Sequence, residues 1–479
     1  MVSNKSVLSN LIWRFMERCG AQVVSFVVSM VLARILGPEE YGTVALITVV
    51  ITIMQVFVDS GLGNSLIQKK DADDLDFSTV FFANIVFCVS LYLLIFFTAP
   101  ILARFYNDMS LIPYMRVLAI TIIISGVKNV QQAYVSKYLM FKKFFWSTIS
   151  GTVVAAIVGI GMAVTGFGIW ALIAQQLVNL FIGTVVLWFS VNWRPKLQFS
   201  MDRLKALYSY GWKLLVSALL DTVYNNCRQL IIGKMYSNSD LAYYNKGKQF
   251  PELVVTNVNT SIDSVLLPAM SQVQDEKEKV KDMTRKSIKV STFIMAPLMM
   301  GLAAVSPALI EIILTDKWLE AVPYLQIFCI TYMFYPIHTA NLNAVKAIGR
   351  SDLFLKLEIK KKVVGVALLL ATMWFGVMVM ALSLIAVSFV NQMINAEPNK
   401  KIFNYGYKEQ MKDILPSILL AVVMGVGVSL VNLLNISNYI ILAIQIVLGV
   451  IIYVAGSIIF KFEIFNYLCS ILKGYIKKK

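Results

Sequence analysis

Arg14, Glu17 and Arg18 stand inside residues 11–35, a stretch otherwise long and apolar enough to cross a bilayer. At about 100° per residue, Arg14, Arg18, Gln22, Ser25 and Ser29 share roughly an 80° arc, while Val23, Phe26, Val27, Met30 and Val31 cover the other faces. A cation at mid-bilayer costs on the order of 2.5–3.5 kcal/mol, so this stripe is expected to face protein or water. A guanidinium group matches phosphate oxygens two at a time. The chemistry open to the stripe is therefore to hold an anionic group, phosphate or pyrophosphate, in a hydrated cavity within the membrane.

Other residues extend that cationic set. Lys128, Lys213, Arg228 and His338 also fall on apolar segments with one polar face, and Gln22, Ser25, Asn225, Asn259 and Asn341 would complete a polar lumen. His338 is the one histidine, and its titration range suits a proton-coupled carrier. Glu17, Asp221 and Glu252 are candidates for an ion or proton site. Structural pairing is the competing reading: Arg14 or Arg18 with Glu17, and Arg228 with Asp221. Arg14, Arg18 and Lys213 could also snorkel to headgroups. Asp59 and Asp263 are expected to cap helices or form salt bridges. Pro251, Pro268, Pro297, Pro307 and Pro336 mark expected kinks.

The elements that must position these groups follow from composition. The chain has 479 residues, is 58% hydrophobic and 15% charged, and has a mean hydropathy of +0.72. Apolar runs of about 20 residues recur along its length, which predicts an all-α polytopic membrane protein with about 14 transmembrane helices. A β-barrel would show short alternating segments instead. Net charge is +16, and the cations concentrate in alternate loops, such as Lys69–Lys70, Lys142–Lys143 and Lys277–Lys289, as the positive-inside rule requires. Both termini are thus expected to be cytoplasmic, and no nucleic-acid partner is implied. The five cysteines lie singly and without a CxxC, so neither disulfides nor a metal site is expected. The first apolar run lacks a small-residue cleavage site and reads as a retained helix. After residue 460, Phe462, Ile464, Phe465, Leu468 and Ile471 suggest an interfacial helix. No loop is expected to exceed about 20 residues, which leaves no room for a soluble catalytic domain.

Polar stripes repeat. Lys213, Ser217, Asp221, Tyr224 and Arg228 follow the spacing of Arg14, Arg18, Gln22, Ser25 and Ser29 at an offset of about 199. Thr48, Thr52, Gln55 and Asp59 share one helical face, and Glu252, Thr256, Asn259 and Asp263 repeat it about 204 residues later. Residues 112–120 echo 322–330 at an offset of about 210, which sets Lys128 against His338 and Gln131 against Asn341. An even-numbered repeat keeps its membrane orientation. The expectation is two six-helix lobes in pseudo-two-fold repeat, residues 1–200 and 201–398, with the substrate between them. Residues 399–479 add two helices and the basic tail.

Ala33-Arg-Ile-Leu-Gly-Pro-Glu-Glu-Tyr-Gly42 and Asp59-Ser-Gly-Leu-Gly-Asn-Ser-Leu-Ile-Gln68 closely resemble the start of the polysaccharide transporter family, the Wzx-type branch of the multidrug/oligosaccharidyl-lipid/polysaccharide flippase superfamily. Gln229–Lys234, Ala242–Asn245, Leu267–Ser271 and Asp316–Leu325 extend the likeness over residues 10–390, nearest to colanic-acid and teichuronic-acid exporters. The resemblance implies a non-enzymatic flippase of a bacterial inner membrane. It would move undecaprenyl-pyrophosphate-linked oligosaccharide outward by alternating access, without a cofactor. Its partners would be membrane lipid and the glycan polymerase and glycosyltransferases of the same pathway. Glu17 and Asp221 lower the positive field here, so deep binding of the phosphate is open. Two rivals stand beside this reading: a multidrug antiporter of the same superfamily, and a membrane glycan polymerase or ligase.

Overall fold

The computed structural model describes residues 4–59 and 62–476, with the side chains of residues 4–12, 14, 15, 18, 19, 210, 471, 472 and 474–476 outside that description. The described residues form helices and no strand. They divide into two compact units, Met1–Ala242 and Tyr243–Lys479. The first unit holds α1 (Asn4–Ile35), α2 (Pro38–Asp59), α3 (Leu62–Gln68), α4 (Asp74–Tyr106), α5 (Leu111–Leu118), α6 (Ile120–Lys137), α7 (Phe141–Val164), α8 (Ile169–Ser190) and α9 (Met201–Met235). α10 (Asn238–Ser271) leads into the second, which continues with α11 (Lys277–Leu314), α12 (Val322–Tyr332), α13 (Tyr335–Ala347), α14 (Ser351–Thr372), α15 (Val377–Phe403), α16 (Tyr407–Ser429), α17 (Asn438–Ile459) and α18 (Glu463–Ile476). Among the described residues, nine helical stretches are long and apolar enough to cross a membrane. The other expected spans fall in α1, α9, α10, α12–α13 and α14, which are helical but more polar or interrupted.

In the first unit, α4 starts at a capping box in which Asp73 and Asp76 bond each other's backbone N–H. The bond from the Asp76 N–H holds the Asp73 carboxyl below its usual range. Asp76 itself is fully buried, 2.6 Å from Lys69 Nζ and 3.2 Å from Arg203. It thereby ties the end of α3, the start of α4 and the start of α9 together. Ser78 and Thr79 accept the backbone N–H groups of Lys196 and Ser200 at 3.0 and 3.1 Å, fixing the linker between α8 and α9. Phe77, Phe81, Phe144, Leu187 and Trp193 pack the core beneath. α7 and α8 form a close antiparallel pair. A Cβ on Gly151 would stand 2.5 Å from the Asn179 carbonyl oxygen, so only glycine permits this approach.

Between α9 and α10 only two residues stand outside helix, because helix resumes at Asn238. Ser237 caps it: Asp240 N–H donates to Ser237 Oγ at 3.0 Å, and Ser237 N–H donates to Asp240 Oδ2 at 3.2 Å. The α1–α2 joint makes one half of this arrangement 200 residues earlier, with Gly37 N–H donating to Glu40 at 2.9 Å.

In the second unit α11 packs against α12, α13, α16 and α17. Asp413 of α16 binds Arg285 at 2.7 Å and Lys289 at 3.4 Å, and accepts the Tyr405 hydroxyl at 2.9 Å. Pro251, Pro268, Pro297 and Pro307 lie inside continuous helices, whereas Pro336 begins one. The matched segments expected as helices four and ten are each divided, into α5–α6 and α12–α13.

Candidate functional site

The stripe Thr48, Thr52, Gln55 and Asp59 opens onto a cavity of about 650 Å3 inside the first unit. Thr121, Ser125, Lys128 and Gln132 of α6, Gln176 and Asn179 of α8, and Ala218 and Thr222 of α9 line the rest. The volume falls in the range of small-molecule sites; Ile51, Val56 and Leu180 complete the lining, and each of the four helices brings an amide or a hydroxyl to it.

Two charged groups set its electrostatics. The Asp59 carboxylate accepts the Gln55 amide at 3.2 Å and the Asn129 amide at 3.3 Å. Lys128 is only partly buried. Its Nζ would stand 3.3 Å from a Cβ on Gly183, so the glycine leaves room for the ammonium. No hydrogen bond or salt bridge reaches that ammonium among the described residues. Asp59 and Glu17 act on that ammonium only through space, which leaves its N–H groups for an incoming anion.

The other expected site residues are scattered. The side chains of Arg14 and Arg18 lie outside the described residues. Glu17 accepts the Thr148 hydroxyl at 3.2 Å, linking α1 to α7; Gln22 beyond it is half-buried and Ser25 exposed. On α9, Lys213, Asp221 and Asn225 are exposed and Arg228 is buried. Ala218 and Thr222, one position on from the expected stripe, are the α9 residues that line the cavity. In the second unit Glu252 pairs with Lys248 one turn away at 3.2 Å, and His338 Nδ1 lies 3.3 Å from the Asn395 amide. Asn341 is fully enclosed: its Oδ1 accepts from Asn399 at 2.7 Å and Gln410 at 2.8 Å. Only Asn259 of the polar set lines a cavity there, one of about 230 Å3. Gln176 and Asn179 were missed, although two polar residues three apart in an apolar segment are a visible signal.

Residues 31–323 match the family described as polysaccharide biosynthesis protein. The chain belongs to that family. It is 25% identical over 350 residues to the succinoglycan biosynthesis transport protein ExoT of Rhizobium meliloti, covering 73% of this chain and 71% of that one. It is 24% identical over 437 residues to the teichuronic acid biosynthesis protein TuaB of Bacillus subtilis, covering 89% of each. The lipid II flippase MurJ, in an inward closed conformation, shares the fold: the TM-score is 0.76 at 15% identity, over 95% of this chain and 98% of that one. An inward-facing multidrug resistance MATE transporter also shares it, at a TM-score of 0.62 and 15% identity, over 80% and 95% of the two chains. None of these names denotes an enzyme. The chain is thus a multi-pass membrane protein of polysaccharide biosynthesis, with a fold common to flippases and drug transporters.

Proposed function

We propose that this chain is a flippase for polyprenyl-pyrophosphate-linked oligosaccharide, working by alternating access in a bacterial inner membrane with both termini cytoplasmic. The observation that carries the reading is Lys128: an ammonium without a hydrogen bond among the described residues, in a 650 Å3 cavity whose other polar lining is amides, hydroxyls and the amide-bonded Asp59 carboxylate. A phosphate oxygen suits the ammonium, and sugar hydroxyls suit the amides and hydroxyls of the lining. The names of ExoT and MurJ, a transport protein and a flippase, support the same assignment. Arg14, Arg18, Lys213 and Arg228 extend the positive field, Gln22, Ser25 and Asn225 continue the polar wall, and Glu17 and Asp221 moderate the field. In the second lobe Asn259 is the strongest candidate. His338, Asn341 and Glu252 act there as structural or coupling groups.

The reading is tested in proteoliposomes of the full chain, loaded with a fluorescently tagged undecaprenyl-pyrophosphate oligosaccharide. Dithionite, added outside, bleaches only outer-leaflet tags. With the protein present, bleaching is expected to run past the outer-leaflet fraction. Bleaching that stops there, together with ethidium transport by the same vesicles, would move the assignment to the multidrug rival.

A further inference from the structure

The second unit holds a polar pocket of which the proposed function draws on Asn259 alone. Its 230 Å3 are lined by Asn259, Thr260 and Asp263 of α10 and by Thr339, Leu342, Asn343 and Lys346 of α13. Asn259 and Asp263 are the repeat partners of Gln55 and Asp59, so the pocket is the second unit's version of the larger cavity. It is built differently. Asn343 is fully buried, yet neither its Nδ2 nor its Oδ1 has a hydrogen-bond partner, and Asn259 Oδ1 is likewise buried and unpaired. A buried carboxamide with both ends unused is destabilising and calls for an explanation. Asp263 and Lys346 do not bridge to each other or to another described residue. The Lys346 ammonium rests 4.8 Å over the Phe354 ring. The Thr339 and Thr260 hydroxyls donate to Tyr335 and Thr256 carbonyls at 3.2 and 2.8 Å, so both present lone pairs.

These donors and acceptors restrict the ligand. A bare cation could use the oxygens of Asp263, Asn259, Asn343 and the threonines, but it would leave Asn343 Nδ2 idle and be repelled by Lys346. A phosphate could use Lys346 and Asn343 Nδ2, but it would meet the Asp263 carboxylate. A vicinal diol uses both kinds at once: one hydroxyl accepts from Asn343 Nδ2 while its neighbour donates to Asn343 Oδ1, and further hydroxyls meet Asn259 and Asp263. We infer that this pocket binds one sugar ring by its hydroxyls, as a subsite for the glycan part of the substrate. The volume admits a ring and not an oligosaccharide. This inference rests on the flippase reading for its biological ligand, but the sugar-binding step is separable from it.

The test uses the full chain in nanodiscs, because maltoside detergents would themselves offer sugar. Saturation-transfer NMR is run with free glucose, galactose, mannose and N-acetylglucosamine as probes. Transfer to the ring protons of at least one sugar is expected. Asn343→Leu and Asn259→Leu should each weaken it about tenfold, the loss of one or two hydrogen bonds. Asn257→Leu, on the same helix but with its amide already bonded to the Leu253 carbonyl at 2.7 Å, should leave it unchanged. Asn343→Ser gives a smaller substitution if the leucine fails to fold. No transfer from any of the four sugars, or transfer untouched by the Asn343 and Asn259 changes, would overturn the subsite. So would thermal stabilisation by sodium that Asp263→Asn abolishes, since that marks a cation site. Flipping of the tagged lipid by protein that binds no free sugar sinks the subsite alone. Sugar binding without flipping sinks the transport reading alone.

Discussion

The two units place matching helix faces around a cavity and then furnish them with different chemistry. In the first, Asp59 is engaged by two amides and Lys128 has no hydrogen bond among the described residues. In the second, Asp263 has no partner and the unused group is the neutral carboxamide of Asn343. The cations also sit at different heights on their helices. Lys128 aligns with His338, which turns to Asn395, whereas the second pocket takes its cation from Lys346, two turns further along α13. Repetition of the scaffold thus fixes where a cavity forms but not what it binds. The first cavity offers an ammonium without a hydrogen bond, and the second a buried carboxamide without one, among the described residues.

The largest effect expected from this contrast is on transport. Lys128→Gln should lower export of surface glycan about ten- to a hundredfold at unchanged protein level, the worth of one charge-assisted hydrogen bond. Lys128→Arg should retain part of it. Lys346→Gln, removing an exposed cation, should change export less than about threefold. The measurement is complementation of a deletion strain, with the protein quantified by immunoblot. Equal losses at 128 and 346 would erase the distinction between the cavities.

Stability gives a second way to test the wall of the first cavity. Gly151→Ala forces a methyl group into the Asn179 carbonyl and should cost about 1–3 kcal/mol by separating α7 from α8. Gly161→Ala, on the same helix with no atom within 4 Å of the new Cβ, should change stability by less than about 1 kcal/mol. Thermal unfolding in one detergent compares them directly. If both substitutions are neutral, tight packing of α7 on α8 is not what positions Asn179.

Much of this was legible beforehand, and for a physical reason. Period and composition reveal which face of a helix is polar, so the Thr48–Asp59 stripe and its copy around Asn259 and Asp263 could be read off directly. They do not reveal whether a polar face meets a cavity or another helix. Gln131 and Asn341, matched by the repeat, both proved enclosed: Gln131 donates to the Trp193 carbonyl at 3.3 Å, and Asn341 joins Asn399 and Gln410. Their neighbours Lys128, Gln132 and Asn343 carry the cavities instead. On α9 the expected stripe is one residue out of phase, because a polar face about 100° wide leaves that much freedom. The polar residues that follow Ser237 do not form a loop. The Ser237–Asp240 capping box instead starts a helix with them.

The smallest effect, and the finest test of the comparison, lies in the two repeated aspartates. Asp59→Asn preserves shape but replaces one acceptor oxygen with a donor. Gln55 and Asn129 both donate to Oδ1 and Gln55 also to Oδ2, so the variant loses the second Gln55 bond, sets an N–H against that amide and weakens both remaining bonds by removing the charge. A loss of about 0.5–1.5 kcal/mol is expected. Asp263→Asn should fall within about 0.5 kcal/mol of zero, because the exposed Asp263 side chain has no hydrogen bond to lose. Both variants can be unfolded thermally beside the parent chain, and Gln55→Leu added to each. If Asp59 is held by its amides, Asp59→Asn and Gln55→Leu should be less than additive, since they remove parts of one network. With Asp263→Asn the same Gln55→Leu change should add independently. Equal shifts for the two aspartates, or additivity in both pairs, would mean that the paired and the unpaired carboxylate do not differ in what they contribute.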